Sequence, residues 1–124
     1  MPEDNPIVTI YKYHNISSAH QLDLPYKSKC NNVHGHNYKV EMWITGSLDE
    51  HGMVVDFHHL KREVNKLDHV NINDILKVDS TAENISVFLA NNILDLAPDR
   101  IKHVKVVVWE TQTAYAEYQI DNSD

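Results

Sequence analysis

The chain has 124 residues, 42% of them apolar and 23% charged, which fits one globular domain over residues 1–124 and excludes a disordered polypeptide. Eleven basic against 18 acidic side chains leave a net charge of −7, which argues against general nucleic-acid binding, since that needs a basic face. A single cysteine, an acidic start and no apolar run of about 18 residues argue against disulfides, a secretory leader and a membrane span, and favour the cytoplasm.

Residues 7–20 carry β-branched and aromatic side chains (Ile7, Val8, Ile10, Tyr11, Tyr13, Ile16) and predict a strand. Residues 21–33, with Pro25, Lys27, Ser28, Asn31 and Asn32, read as a loop. From 36 to 45 the pattern alternates, with Tyr38, Val40, Met42 and Ile44 on one face and Lys39, Glu41, Trp43 and Thr45 on the other. A turn region at 46–52 follows, and the two strands are expected to pair antiparallel. Asp56 then N-caps a helix bearing Phe57, Leu60, Val64 and Leu67 at helical spacing. A second helix starts at Ser80 with Glu83 in capping-box register, carries Ile85, Phe88, Leu89, Ile93 and Leu96, and stops at Pro98. Strands at 102–110 and 114–120, joined by a turn at 111–113, complete a ββααββ order. That order predicts an α+β fold, an antiparallel sheet with two helices on one face. The other face then needs water, a ligand or another subunit.

Nine histidines are the compositional outlier. His34 and His36 flank Gly35, so an extended chain presents both imidazoles on one face about 7 Å apart. His20 ends the first strand and comes alongside them if the strands pair. Three His ligands with an open fourth position are the form of a catalytic zinc site, whereas structural zinc would draw four ligands. The alternative is a set of strand-end histidines bonded to backbone carbonyls. Cys30 sits among Lys29, Asn31 and Asn32, so it is either an inert loop cysteine or a partly exposed thiol able to act as base or nucleophile. Asp68-His69 has the form of a carboxylate-oriented proton-transfer pair, or of a helix-end turn. Glu110 ends the alternation Val104, Val106, Val108, where a charge costs several kcal/mol unless paired. Two parallel N–H donors of a ligand would satisfy it, as would solvent at the strand end. Glu83 is fully explained as a capping residue, His58 and His59 as solvated helix residues, and His14, His51 and His103 as surface residues without partners.

Six pieces together carry a resemblance: Ser18-Ala19-His20, the run Cys30-Asn31-Asn32-Val33-His34-Gly35-His36-Asn37-Tyr38, Val55-Asp56-Phe57, Leu67-Asp68-His69, Thr81-Ala82-Glu83-Asn84 and Trp109-Glu110-Thr111. The sequence resembles the 6-pyruvoyl-tetrahydropterin synthase superfamily, and more closely its bacterial 6-carboxy-tetrahydropterin synthase branch, which serves queuosine (7-deazapurine) synthesis. The resemblance implies the T-fold, a ββααββ unit whose sheets join between subunits into a barrel, and so a homo-oligomer with active sites at the interfaces. It implies that His20, His34 and His36 bind zinc, that Cys30 is the catalytic proton acceptor and that Asp68 and His69 relay protons. Glu110 would hold the guanidine-like edge of the pterin, with Thr81, Glu83 and Lys29 as further substrate contacts. The implied substrate is 7,8-dihydroneopterin triphosphate, converted to 6-carboxy-5,6,7,8-tetrahydropterin, acetaldehyde and triphosphate. Lys27 and Lys29 are the candidates to meet its phosphates.

The Cys-x3-His-Gly-His spacing favours the carboxy branch, because in animal pyruvoyl enzymes the Cys typically stands two residues further from the first His. Two departures from the family pattern, Ile16 and Ser18 before the first zinc His and Asp79-Ser80 before Thr81, touch no proposed ligand. Two other readings remain: a pyruvoyl-type synthase that only eliminates triphosphate, and an idle zinc- or pterin-binding protein on the same fold.

Overall fold

The computed structural model describes residues 5–20, 22–26 and 34–123, with His34 described through its backbone alone. Strands β1 (Ile7–His20) and β2 (His34–Ser47) are followed by helices α1 (Phe57–Asn65), α2 (Ile72–Leu76) and α3 (Ala82–Leu94) and by strands β3 (Ile101–Thr111) and β4 (Ala114–Asp121). The four strands form one antiparallel sheet in the order β1-β2-β3-β4, with helices on one face, so the α+β expectation holds.

Period-two alternation decides which side chains meet the helices. Val40, Met42 and Ile44 of β2 and Val104, Val106 and Val108 of β3 are wholly buried, together with Leu60 and Val64 of α1 and Ile85, Leu89 and Ile93 of α3. Burying each such side chain stabilises the fold by about 1.5–3 kcal/mol. The opposite face is polar and aromatic. The Lys105 ammonium lies 4.6 Å from the Trp43 ring centre and Lys39 5.0 Å from that of Tyr13. Glu41 accepts hydrogen bonds of 2.6 Å from both the Tyr11 hydroxyl and Trp109 Nε1–H. Among the described residues, no helix is long and apolar enough to cross a membrane.

Three sequence expectations are corrected. A short helix, α2, intervenes between the two expected; Asn71 caps it by accepting from Asn73 N–H. Strand β2 continues through Gly46 and Ser47, which were expected in a turn. A Cβ at Gly46 would lie 2.5 Å from the Arg100 carbonyl oxygen, so the close approach of β3 requires glycine there. Finally, α3 is capped by Thr81 rather than Ser80. The Thr81 hydroxyl accepts from Asn84 N–H at 3.0 Å, and the Asn84 amide reaches back to the Asp79 carbonyl at 2.8 Å. Glu83 therefore takes no part in a capping box and is exposed. Ser80 is buried instead, donating to Asn73 Oδ1 at 2.6 Å.

Candidate functional site

Antiparallel pairing brings the end of β1, the start of β2 and the end of β3 to one edge of the molecule. His36 lies opposite Ser18, and Lys39 opposite Trp109, the residue before Glu110. His20, His36 and Glu110 each offer a ligand atom there, all within 4.8 Å of one another. Glu110 Oε1 is 3.9 Å from His20 Nε2 and 3.7 Å from His36 Nε2. The imidazoles of His20 and His36 meet edge to face at 4.6 Å, and the Tyr38 ring stacks on His36 at 5.3 Å.

The tautomer of His20 follows from its surroundings. Its Nδ1 is 3.0 Å from the Ser80 carbonyl, which can only accept, so Nδ1 carries the proton. The Tyr38 hydroxyl oxygen shares that N–H at 2.8 Å. Nε2, 3.9 Å from Glu110 Oε1, is then the ring nitrogen able to ligate a metal. The donor set thus fits a divalent metal of borderline softness, with the Ser80 and Tyr38 contacts orienting the buried ligand.

Asp68 and His69 run alongside the outer edge of β1. Asp68 Oδ1 accepts from Ser17 N–H at 2.9 Å, while His69 N–H donates to the Ser17 carbonyl at 2.8 Å and Ala19 N–H to the Val70 carbonyl at 3.0 Å. These bonds hold His69 at φ 55°, an uncommon value for a residue with a side chain. Its Nε2 is 3.5 Å from Asp68 Oδ2, and the ring is 81% exposed. Two adjoining cavities, about 910 and 470 Å³, share Ser17, Asn37 and His69; His36 opens into the smaller and Asp68 into the larger.

Among the described residues, the structure therefore unites His20, His36 and Glu110, and separately pairs Asp68 with His69. Thr81 is engaged as the α3 cap and Glu83 stands exposed in that helix's first turn. Cys30, Lys27, Lys29 and the His34 side chain lie outside the described residues. The partnerless reading of three histidines is corrected: His14 Nε2 meets Asn65 Oδ1 at 2.7 Å, His103 Nε2 meets Gln119 Oε1 at 3.1 Å, and His51 is 3.6 Å from Glu50. Sequence reasoning missed Tyr38 as the partner of His20. Its position two residues after His36 on an alternating strand was the available signal.

The family model for 6-pyruvoyl tetrahydropterin synthase matches residues 9–121. A Pyrococcus abyssi protein provisionally named 6-carboxy-5,6,7,8-tetrahydropterin synthase is 34% identical, with 87% of each chain aligned. The Haemophilus influenzae protein named 6-carboxy-5,6,7,8-tetrahydropterin synthase is 32% identical over 89% of this chain and 97% of that one. The structure of Caenorhabditis elegans 6-pyruvoyl tetrahydropterin synthase superposes with a TM-score of 0.69 at 29% identity, over 94% of this chain and 97% of that one.

Proposed function

The chain belongs to the 6-pyruvoyl tetrahydropterin synthase family, and from that membership we propose that it is a pterin-processing lyase of the 6-carboxy branch. The substrate is 7,8-dihydroneopterin triphosphate, which with one water gives 6-carboxy-5,6,7,8-tetrahydropterin, acetaldehyde and triphosphate, a step toward queuosine. The observation that carries this reading is the convergence of His20, His36 and Glu110 at one end of the sheet, beside a cavity that also receives His69.

In this reading His20, His34 and His36 hold zinc. The ion supplies a Lewis acid next to the hydroxylated side chain of the substrate. Glu110 accepts two parallel N–H bonds from the guanidine-like edge of the ring and fixes its orientation. Cys30, as thiolate, removes a proton from the side chain. His69, kept in place by Asp68, accepts or returns the second proton. Thr81, Glu83 and Lys29 complete the substrate contacts. Placement of Asp68-His69 on an exposed outer strand edge, and an uncovered aromatic sheet face, support a homo-oligomer with sites at subunit interfaces.

Mass spectrometry of products from the zinc-loaded protein and 7,8-dihydroneopterin triphosphate tests the proposal. The expected products are the 6-carboxy pterin and acetaldehyde. A product that keeps the three-carbon side chain would place the protein in the pyruvoyl branch. Zinc binding without turnover would overturn the catalytic reading.

A further inference from the structure

We propose that Lys39, on the sheet face opposite the helices, binds the phosphate chain of the substrate in the larger cavity. The inference rests on the reading above, that the substrate is a pterin bearing a phosphate chain. A chain of net charge −7 needs a local cation to hold such a polyanion. Among the described residues, Lys39 is the only lysine or arginine lining either cavity.

Four other cations are engaged elsewhere. Lys66 and Arg62 stand 2.8 and 4.0 Å from Glu63, Lys105 lies 3.5 Å from Glu117, and Arg100 donates to the carbonyls of Ser47, Met53 and Val54. Lys39 has no carboxylate within 4.0 Å among the described residues, and its ammonium lies 5.0 Å from the Tyr13 ring centre.

Register builds the rest of the floor. Asn15, Lys39 and Trp109 are successive cross-strand partners, with Ser17 and Asn37 paired in the next row on the same face. The Asn15 and Asn37 amides supply neutral donors beside the ammonium. The two carboxylates near this floor are already satisfied. Asp68 is turned to Ser17 N–H and His69, and both Glu41 oxygens are taken by Tyr11 and Trp109.

Because the two cavities share Ser17, Asn37 and His69, one extended ligand can occupy both. The hydroxylated side-chain carbons then lie beside His36 at the seam, with the phosphate chain at Lys39 in the larger cavity. His69 stands at that seam, where a proton-transfer group is needed.

Calorimetric titration of the zinc-loaded protein with inorganic tripolyphosphate tests this directly. Lys39→Gln, or Lys39→Met to keep the length of the side chain, is expected to weaken binding about tenfold, and Lys39→Arg to retain it. Lys61→Gln on the exposed surface of α1 removes the same charge and is expected to leave affinity unchanged. In turnover, Lys39→Gln should raise KM about tenfold with little change in kcat. Unchanged tripolyphosphate affinity in both Lys39→Gln and Lys39→Met would overturn the proposal, as would a loss seen with Lys29→Gln but not with either. If the wild type does not turn over the pterin yet binds tripolyphosphate through Lys39, the substrate reading falls and the anion site stands.

Discussion

One face of the sheet changes character from its middle to its end. In the middle, Val40, Met42, Val106 and Val108 are wholly buried against the helices. Two to four residues further along the same strands, the same parity presents His36 and Glu110, joined by His20 from β1. Alternation determines which side chains face inward, but it does not determine whether they are hydrocarbon or ligand donors. The middle stabilises the fold by excluding water. The end gathers two imidazoles and a carboxylate within 4.8 Å of one another, donors that a metal ion can use.

Substitutions separate the two roles. Leu89→Ala in α3 removes a wholly buried side chain from the packed region and should cost about 2–5 kcal/mol in urea unfolding. The fraction that remains folded should still bind metal. Gly46→Ala forces a Cβ into the Arg100 carbonyl oxygen and should cost about 1–3 kcal/mol, again without altering metal affinity. An unaltered midpoint would mean that β3 can move away there.

Tyr38→Phe sharpens the comparison because the hydroxyl sits between the packed region and the donors. Loss of its contact with His20 Nδ1 should weaken metal binding about tenfold in a chelator competition. Its effect on stability should be nearer 1 kcal/mol. Equal affinity in the variant would show that the Ser80 carbonyl alone orients the ring.

The smallest effect concerns the opposite face. Burial and the hydrogen bond to Glu41 push the Tyr11 hydroxyl up to about 12. Burial also raises the Glu41 carboxyl, but the bonds from Tyr11 and Trp109, with Lys39 and Lys105 nearby, outweigh it and hold the group below its ordinary 4.5. A lowered carboxyl contributes stability above pH 4.5 that is lost as the pH falls through its folded value. A raised phenol contributes stability below pH 10 that is lost as the pH rises toward about 12. Glu41→Gln should abolish the acid-side contribution and return Tyr11 toward about 10 in a tyrosinate absorbance titration. A Tyr11 titration unchanged from the wild type would show that burial, with Tyr13 nearby, raises it without Glu41.

The strands were legible because their alternation is long and unbroken, as from Tyr38 to Ile44, and the apolar stripes of α1 and α3 were legible for the matching reason. Helix α2 was not, because Ile72–Leu76 is too short to show a period and is held by its cap and by the buried Ile72. The start of α3 was misplaced by one residue because Ser80 and Thr81 are equally good caps in isolation. Burial of Ser80 against Asn73 decides between them. At the site, Glu110 stood out as a carboxylate ending an apolar alternation, but its approach to His20 and His36 depends on strand register that spacing does not encode. The Ser80 and Tyr38 partners of His20 are tertiary contacts for the same reason.

Metal content tests the central claim most directly. After zinc loading and dialysis, elemental analysis of the wild type should give one zinc per chain, and His36→Ala should give almost none while unfolding at nearly the same urea concentration as the chelated wild type. Full zinc occupancy in a folded His36→Ala variant would contradict the account, because the metal would then lie somewhere other than the end of the sheet.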